Sequence, residues 1–124
     1  MRAPEPLTGL RVVAAPAAID GLAWPDGVGT LRFAADDLFA LDATSTGLLD
    51  AVVEEERGFV GWWLSIEELE ELVLEHIDWP LPKAWPAVAQ GLIGGVPAKL
   101  WLTSDRVLLL TTAAYAHELM DRLP

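Results

Sequence analysis

The pattern of apolar and polar residues is clearest over residues 58–77, where a strand runs directly into an amphipathic helix. Phe59–Leu64 is almost wholly apolar, which is typical of a buried strand. After Ser65, apolar side chains recur at helical spacing as far as Ile77, and glutamates cover the other side. Ser65 and Glu68 have the spacing of a capping box, which predicts that the helix begins directly after Ser65.

Other segments of the chain predict strands, turns and a second helix. The predicted strands are residues 10–15, 30–34, 38–41, 50–56, 88–96, 98–102 and 107–110. Residues 19–29 are rich in Gly and Pro and predict a loop, whereas Asp36 and Asp37 predict a turn between two strands. Residues 114–123 predict a closing helix with one apolar face.

The order of strands, helix, strands and helix predicts the fold class. It favours an α+β two-layer sandwich, ferredoxin-like or related, with two helices on one face of a mostly antiparallel sheet. A chain of 124 residues is expected to form a single domain. Residues 1–9 hold two prolines and a glycine and are expected to be a loose leader. The proline-rich stretch 79–86 is expected to be the seam between two halves.

The apolar content is high for a soluble domain of this size. Hydrophobic residues make up 52% of the chain, six of them Trp, and the mean hydropathy is +0.33. One interpretation is that an apolar surface patch is buried against a partner or a second copy of the chain. The other is that Ala and Leu raise the average without forming a patch. Both interpretations stay open at this point.

The tryptophans are the candidates for an interface. Trp62 and Trp63 are adjacent in a predicted strand, so they are expected to point to opposite faces, one into the core and the other towards a second layer, solvent or a partner. Tryptophans in the proline-rich stretch are expected to brace it by packing. The complete set of interface candidates is Trp62, Trp63, Trp79, Trp85 and Trp101.

Charge and cysteine content exclude several classes of function. The net charge is −11, the isoelectric point is about 4.3, and the eight basic residues are scattered, so neither nucleic acid nor an anionic membrane surface is an expected partner. No apolar run reaches the length of about 18 residues that a membrane span needs. The absence of Cys excludes disulfides and thiolate chemistry and fits a cytoplasmic protein.

Residue patterns that carry catalysis or bind cofactors are not found. His76 and His117 are isolated, and the glycines of residues 91–95 do not match a phosphate-binding loop. We therefore predict no catalytic residues, no metal site and no cofactor, and interpret the many carboxylates as a solvated face. A carboxylate metal site around Glu54–Glu56 and His76 is the least favoured hypothesis.

The last third of the chain resembles a known family. Residues 90–123 are similar to the C-terminal part of the gamma subunit of heterotetrameric sarcosine oxidase, whose family in turn resembles the aminomethyltransferase fold. The stretch LRFAADDLFAL resembles the strand pair with an acidic turn in the same family. The features that carry the resemblance are Gly95-Val96-Pro97, Leu100-Trp101, Ser104-Asp105, residues 107–110, Tyr115-Ala116, and the apolar pair Leu119 and Leu123.

The resemblance implies a role in assembly. The gamma subunit of that family acts as a packing subunit, so its likeness implies an accessory domain and supplies no active-site residues. Ala114 departs from the family, which often has a helix-capping Ser there. The favoured hypothesis is a non-catalytic domain that binds itself or an enzyme subunit through an apolar, Trp-containing surface. The alternative is a binding protein or enzyme for small one-carbon or folate-like molecules.

Overall fold

The computed structural model describes residues 1–47 and 51–124, which form two compact units. The terminal unit comprises Met1–Pro6 and Phe59–Pro124, and the internal unit comprises Leu7–Gly58. Within the described residues there are nine β-strands and three α-helices. The strands are β1 (Glu5–Pro6), β2 (Gly9–Val13), β3 (Gly29–Ala34), β4 (Asp37–Leu41), β5 (Val52–Glu56), β6 (Phe59–Leu64), β7 (Ala87–Ile93), β8 (Val96–Leu102) and β9 (Val107–Thr112). The helices are α1 (Pro16–Asp20), α2 (Ile66–Leu72) and α3 (Ala116–Arg122).

The terminal unit is a five-stranded sheet with helices on one face. Its strand order is β1-β6-β9-β8-β7, and every neighbouring pair is antiparallel. Helices α2 and α3 share one core with the sheet residues that point to the same side, so we call this side the helix-covered face. The main core residues are Trp62, Leu64, Leu69, Val73, Ile93, Val96, Leu100, Leu102, Val107, Leu109, Leu119 and Leu123.

The helix α2 begins where its sequence predicts. Ser65 Oγ accepts a hydrogen bond from the Glu68 backbone N–H, and a Glu68 carboxylate oxygen accepts one from the Ser65 N–H, each at 3.1 Å. The predicted capping box is therefore confirmed. The helix ends at Leu72, earlier than predicted, and a 3₁₀ turn over Leu74–His76 follows. The His76 carbonyl accepts a hydrogen bond from the Gly94 N–H at 2.8 Å, a tertiary contact that helical periodicity does not encode.

The first residues of the chain are not a loose leader. Glu5 and Pro6 pair with Gly61 and Val60 of β6, and β2 already begins at Gly9. The buried indole of Trp62 donates a hydrogen bond to the Arg2 carbonyl at 2.8 Å. The prolines that suggested a leader are compatible with this position because β1 is an edge strand, where a missing N–H is tolerated.

The proline-rich stretch 79–86 is also not a seam between halves. It lies inside the terminal unit, whose partly buried apolar residues include Trp79 and Trp85. The indole N–H of Trp79 donates to the Leu92 carbonyl at 3.0 Å, and that of Trp85 donates to the Pro82 carbonyl at 2.8 Å. The two tryptophans thus brace the stretch by packing, as predicted.

Two glycines form the turn of the hairpin between β7 and β8 in the terminal unit. The single strand predicted over residues 88–96 is divided, because Gly94 and Gly95 form the turn between β7 and β8. Their φ angles are 56° and 82°, which glycine adopts at little cost and which suit a two-residue hairpin turn. The next hairpin, β8 to β9, is confirmed, and all four residues of the apolar run 107–110 are buried.

The internal unit is a four-stranded antiparallel sheet with one short helix. The strand order is β3-β4-β2-β5. Helix α1 begins at Pro16 and overlaps the predicted loop 19–29. It was not predicted, because five residues are too few to show a periodic pattern. Asp50, part of the predicted strand 50–56, lies outside the described residues. The core of this unit contains Leu10, Val12, Ile19, Leu38, Ala40 and Ala43.

These elements confirm the predicted fold class. The protein is α+β, its sheets are antiparallel, and α2 and α3 lie on one face of the five-stranded sheet. Of the helices in residues 1–47 and 51–124, none has the length and apolar content needed to cross a membrane.

Candidate interaction surface

The adjacent tryptophans of β6 point to opposite faces of the five-stranded sheet. Trp62 is 1% exposed and belongs to the core of the helix-covered face. Trp63 is half-buried, and strand alternation places it on the other side, which we call the opposite face. The prediction that one of the two enters the core is therefore confirmed.

An aromatic and cationic cluster lies at one end of the opposite face. The ring centroids of Trp63 and Trp101 are 5.9 Å apart, and the planes are tilted by 56°. Both residues pair with Leu108 of β9, one from each side, so the register of the sheet brings them together. The guanidinium carbon of Arg106 lies 3.7 Å from the Trp63 ring centroid, within the range of a cation–π interaction. We call Trp63, Trp101 and Arg106 the Trp–Arg cluster.

The turn between β8 and β9 positions Arg106. The Thr103 N–H donates to the Arg106 carbonyl at 3.0 Å, and the Thr103 hydroxyl donates to the same carbonyl at 2.6 Å. The Arg106 N–H in turn donates to the Thr103 hydroxyl at 3.3 Å. These bonds close the turn, and the exposed Arg106 side chain reaches over Trp63. Sequence reasoning found Trp63 and Trp101 but missed Arg106, whose place depends on pairing between β6 and β9.

A cavity of about 370 Å³ lies on the same opposite face, and none of its described lining residues is a tryptophan. Its lining includes Leu92, which faces Pro97 across β7 and β8, and Lys99, which faces Gln90 in the same pair of strands. The Lys99 ammonium donates to the Gln90 side-chain oxygen at 2.6 Å. Phe59 and Tyr115 complete its apolar walls. None of the sequence patterns indicated this cavity.

The predicted candidates for a metal site lie in different units. Glu54–Glu56 belong to β5 of the internal unit, and His76 ends the 3₁₀ turn of the terminal unit. His117 is exposed on α3 and lies 3.6 Å from Asp121 one turn later. Within residues 1–47 and 51–124 no three His, Asp or Glu side chains gather as a metal site requires.

A cluster of charged side chains around Arg11 belongs to the internal unit. Arg11 makes a bidentate contact with the carboxylate of Asp37, at 2.6 and 2.7 Å, and a further contact with Glu56 at 3.2 Å. Its guanidinium also lies 4.8 Å from the ring centroid of Phe33. The hydrogen bonds to Asp37 raise the pKa of Arg11 above its usual value. The cluster ties β2 to β4 and β5, which is a structural role.

One carboxylate of the terminal unit has a shifted pKa. The backbone N–H of Ser65 donates to Glu68, and Arg2 lies 3.2 Å from the same carboxylate. These two contacts, the backbone bond first, lower the pKa of Glu68 below its usual 4.5. Glu68 therefore acts as a cap for α2 and a contact for the N-terminal segment.

Comparison with known proteins identifies a solved structure with a similar fold. No protein-family model matches the sequence, and no curated protein matches it. Among solved structures, a chain of the heterotetrameric sarcosine oxidase from Corynebacterium sp. U-96, in complex with pyrrole 2-carboxylate, superposes with a TM-score of 0.69. The identity is 17%, and the match covers 95% of this chain and 80% of that chain. The resemblance drawn from residues 90–123 is thus confirmed for the fold.

Proposed function

We propose that the protein is a non-catalytic accessory subunit that binds an enzyme subunit through the Trp–Arg cluster. The observation that carries this proposal is the fold shared with a chain of a heterotetrameric oxidase, over 95% of the residues. A chain of a heterotetramer has surfaces that bind other subunits. Because this protein shares the fold, binding to an enzyme subunit is the first role to test.

The composition of the Trp–Arg cluster suits an interface. Trp and Arg are the residue types most enriched among side chains that dominate binding energy. Trp63 and Trp101 are half-buried, so part of each ring remains available for contact. Arg106 is exposed and stacked, and a partner carboxylate could bind its guanidinium while the ring stays in place.

The test is purification of a tagged chain from the organism that encodes it. We expect an oxidoreductase subunit to copurify in stoichiometric amount and the complex to elute well above 13.4 kDa. Light scattering on the chain alone then distinguishes binding to another subunit from self-association.

Matched arginine variants localise the interface. Arg106→Glu should weaken binding of the copurified subunit by at least about 30-fold, because side chains that dominate an interface contribute about 2 kcal/mol or more. Arg57→Glu makes the same charge change at an exposed arginine of the internal unit and should leave affinity unchanged. Equal affinities for both variants, or a chain that purifies without any partner, would refute the proposal.

A further inference from the structure

The cavity on the opposite face combines apolar walls with one positive charge. Leu92 is 55% exposed and Tyr115 is 40% exposed, and both line the cavity together with Phe59 and Pro97. The volume of about 370 Å³ lies at the small end of the range for ligand sites. Such sites are mostly apolar and have a few polar groups that orient the ligand.

The polar groups of the cavity are suited to an anion. The Lys99 ammonium supplies the charge, and its contact with the Gln90 side chain fixes its position on the sheet. Thr112 adds a hydroxyl that can donate a hydrogen bond. Of the described residues that line the cavity, none is acidic, although the chain has 19 acidic and eight basic residues. The lining therefore differs in charge from the chain as a whole.

We infer that this cavity binds a small organic carboxylate with an apolar body. The ammonium of Lys99 pairs with the carboxylate, and the walls formed by Leu92, Pro97 and Tyr115 bury the apolar part. The inference does not rest on the proposed subunit role, because no residue of the Trp–Arg cluster lines the cavity. Binding is all that is proposed, and no bond is made or broken.

The experiment is an NMR titration of the full chain with phenylacetate and with phenylacetamide, its neutral counterpart. We expect phenylacetate to shift the backbone amides of Gly91, Ala98 and Thr112, which line the cavity. Phenylacetamide should bind at least about tenfold more weakly, because it lacks the charge that pairs with the ammonium.

The two lysines of the chain provide a matched pair of variants. Lys99→Met should weaken phenylacetate binding at least about tenfold, whereas Lys83→Met, at an exposed position of the proline-rich stretch, should not change it. Lys99→Gln is measured as well, so that a folding defect of one variant does not remove the test. Equal binding of acid and amide, unchanged binding by both Lys99 variants, shifts confined to other residues, or no binding up to about 20 mM would each overturn the inference.

Discussion

The two faces of the five-stranded sheet are built from the same strands but have different chemistry. The helix-covered face is apolar and mainly aliphatic, it is covered by α2 and α3, and its core includes the buried Trp62. The opposite face presents Trp63 in the Trp–Arg cluster and, further along, the cavity beside Lys99. The two adjacent tryptophans therefore have different surroundings, because side chains alternate along a strand and the helices cover only one face of the sheet.

This difference shows why composition alone does not locate a surface. Both tryptophans contribute equally to the apolar content, yet only one contributes fully to the core. The helix-covered face should respond to substitution with a large loss of stability. On the opposite face, substitution within the half-buried Trp–Arg cluster should reduce binding and should cost less stability.

The largest expected effect is that of truncating Trp62. Trp62→Ala should lower the free energy of unfolding by about 3–5 kcal/mol, because it leaves a cavity in a closed core. Trp63→Ala should cost about 1–2 kcal/mol, since only part of that ring is buried. Urea denaturation of both variants measures the contrast, and equal losses would show that the two faces are packed alike.

The next effect concerns Gly91, which lies under the indole of Trp79. A Cβ at this position would come within 2.7 Å of the Trp79 indole nitrogen. Gly91→Ala should therefore cost about 1–3 kcal/mol through overpacking. The control is Gly21→Ala, where an added Cβ would meet no atom closer than 3.5 Å and which should therefore not lower stability. A Gly91→Ala protein as stable as the wild type in thermal denaturation would contradict the packing described for Trp79.

A smaller effect is expected from the cap of α2, which supports the helix-covered face. Ser65→Ala removes the hydroxyl that accepts the Glu68 N–H and should cost about 1 kcal/mol. Ser104→Ala, in the turn between β8 and β9, serves as the control and should stay within about 0.5 kcal/mol. If chemical denaturation gives the two variants the same stability, the cap contributes nothing measurable.

The smallest effect is a dependence on pH that arises from Glu68. Since the folded state lowers the pKa of Glu68, its ionised form stabilises the fold above the usual value of 4.5, and this contribution is lost as the pH falls through the lowered value. Denaturation midpoints of wild type and Glu68→Gln should therefore differ at neutral pH and converge in acid. A difference that persists or grows in acid would mean that the contact with Ser65 and Arg2 does not stabilise the charged form.

Parts of the fold follow from local pattern. The start of α2, the β8 to β9 hairpin and the division of Trp62 from Trp63 were predicted because each depends on residues close in sequence. Helix α1 was not predicted, because five residues carry little periodicity. The end of α2 was not predicted either, because the His76 carbonyl after it bonds to Gly94, which is distant in sequence.

Only part of the opposite face, with its Trp–Arg cluster and cavity, could be predicted from the sequence. Trp63 and Trp101 stand out in the sequence, but nothing there associates them with Arg106, and nothing associates Leu92 with Tyr115 or Lys99. The order of the strands in the sheet determines which of these residues lie next to one another. The register of β6 and β8 against β9 brings the two tryptophans to Leu108 from either side.

The sequence by itself determined the class of fold, the capped helix and the alternation that sends neighbouring side chains to opposite faces, since these depend on backbone geometry and nearby residues. Only the tertiary structure decided which face α2 and α3 cover, that residues 1–6 join β6, and that one lysine lies in an apolar cavity. The physical reason is distance along the chain. Pairing between residues far apart in sequence depends on the packing of the whole unit, and no single segment of the sequence records it.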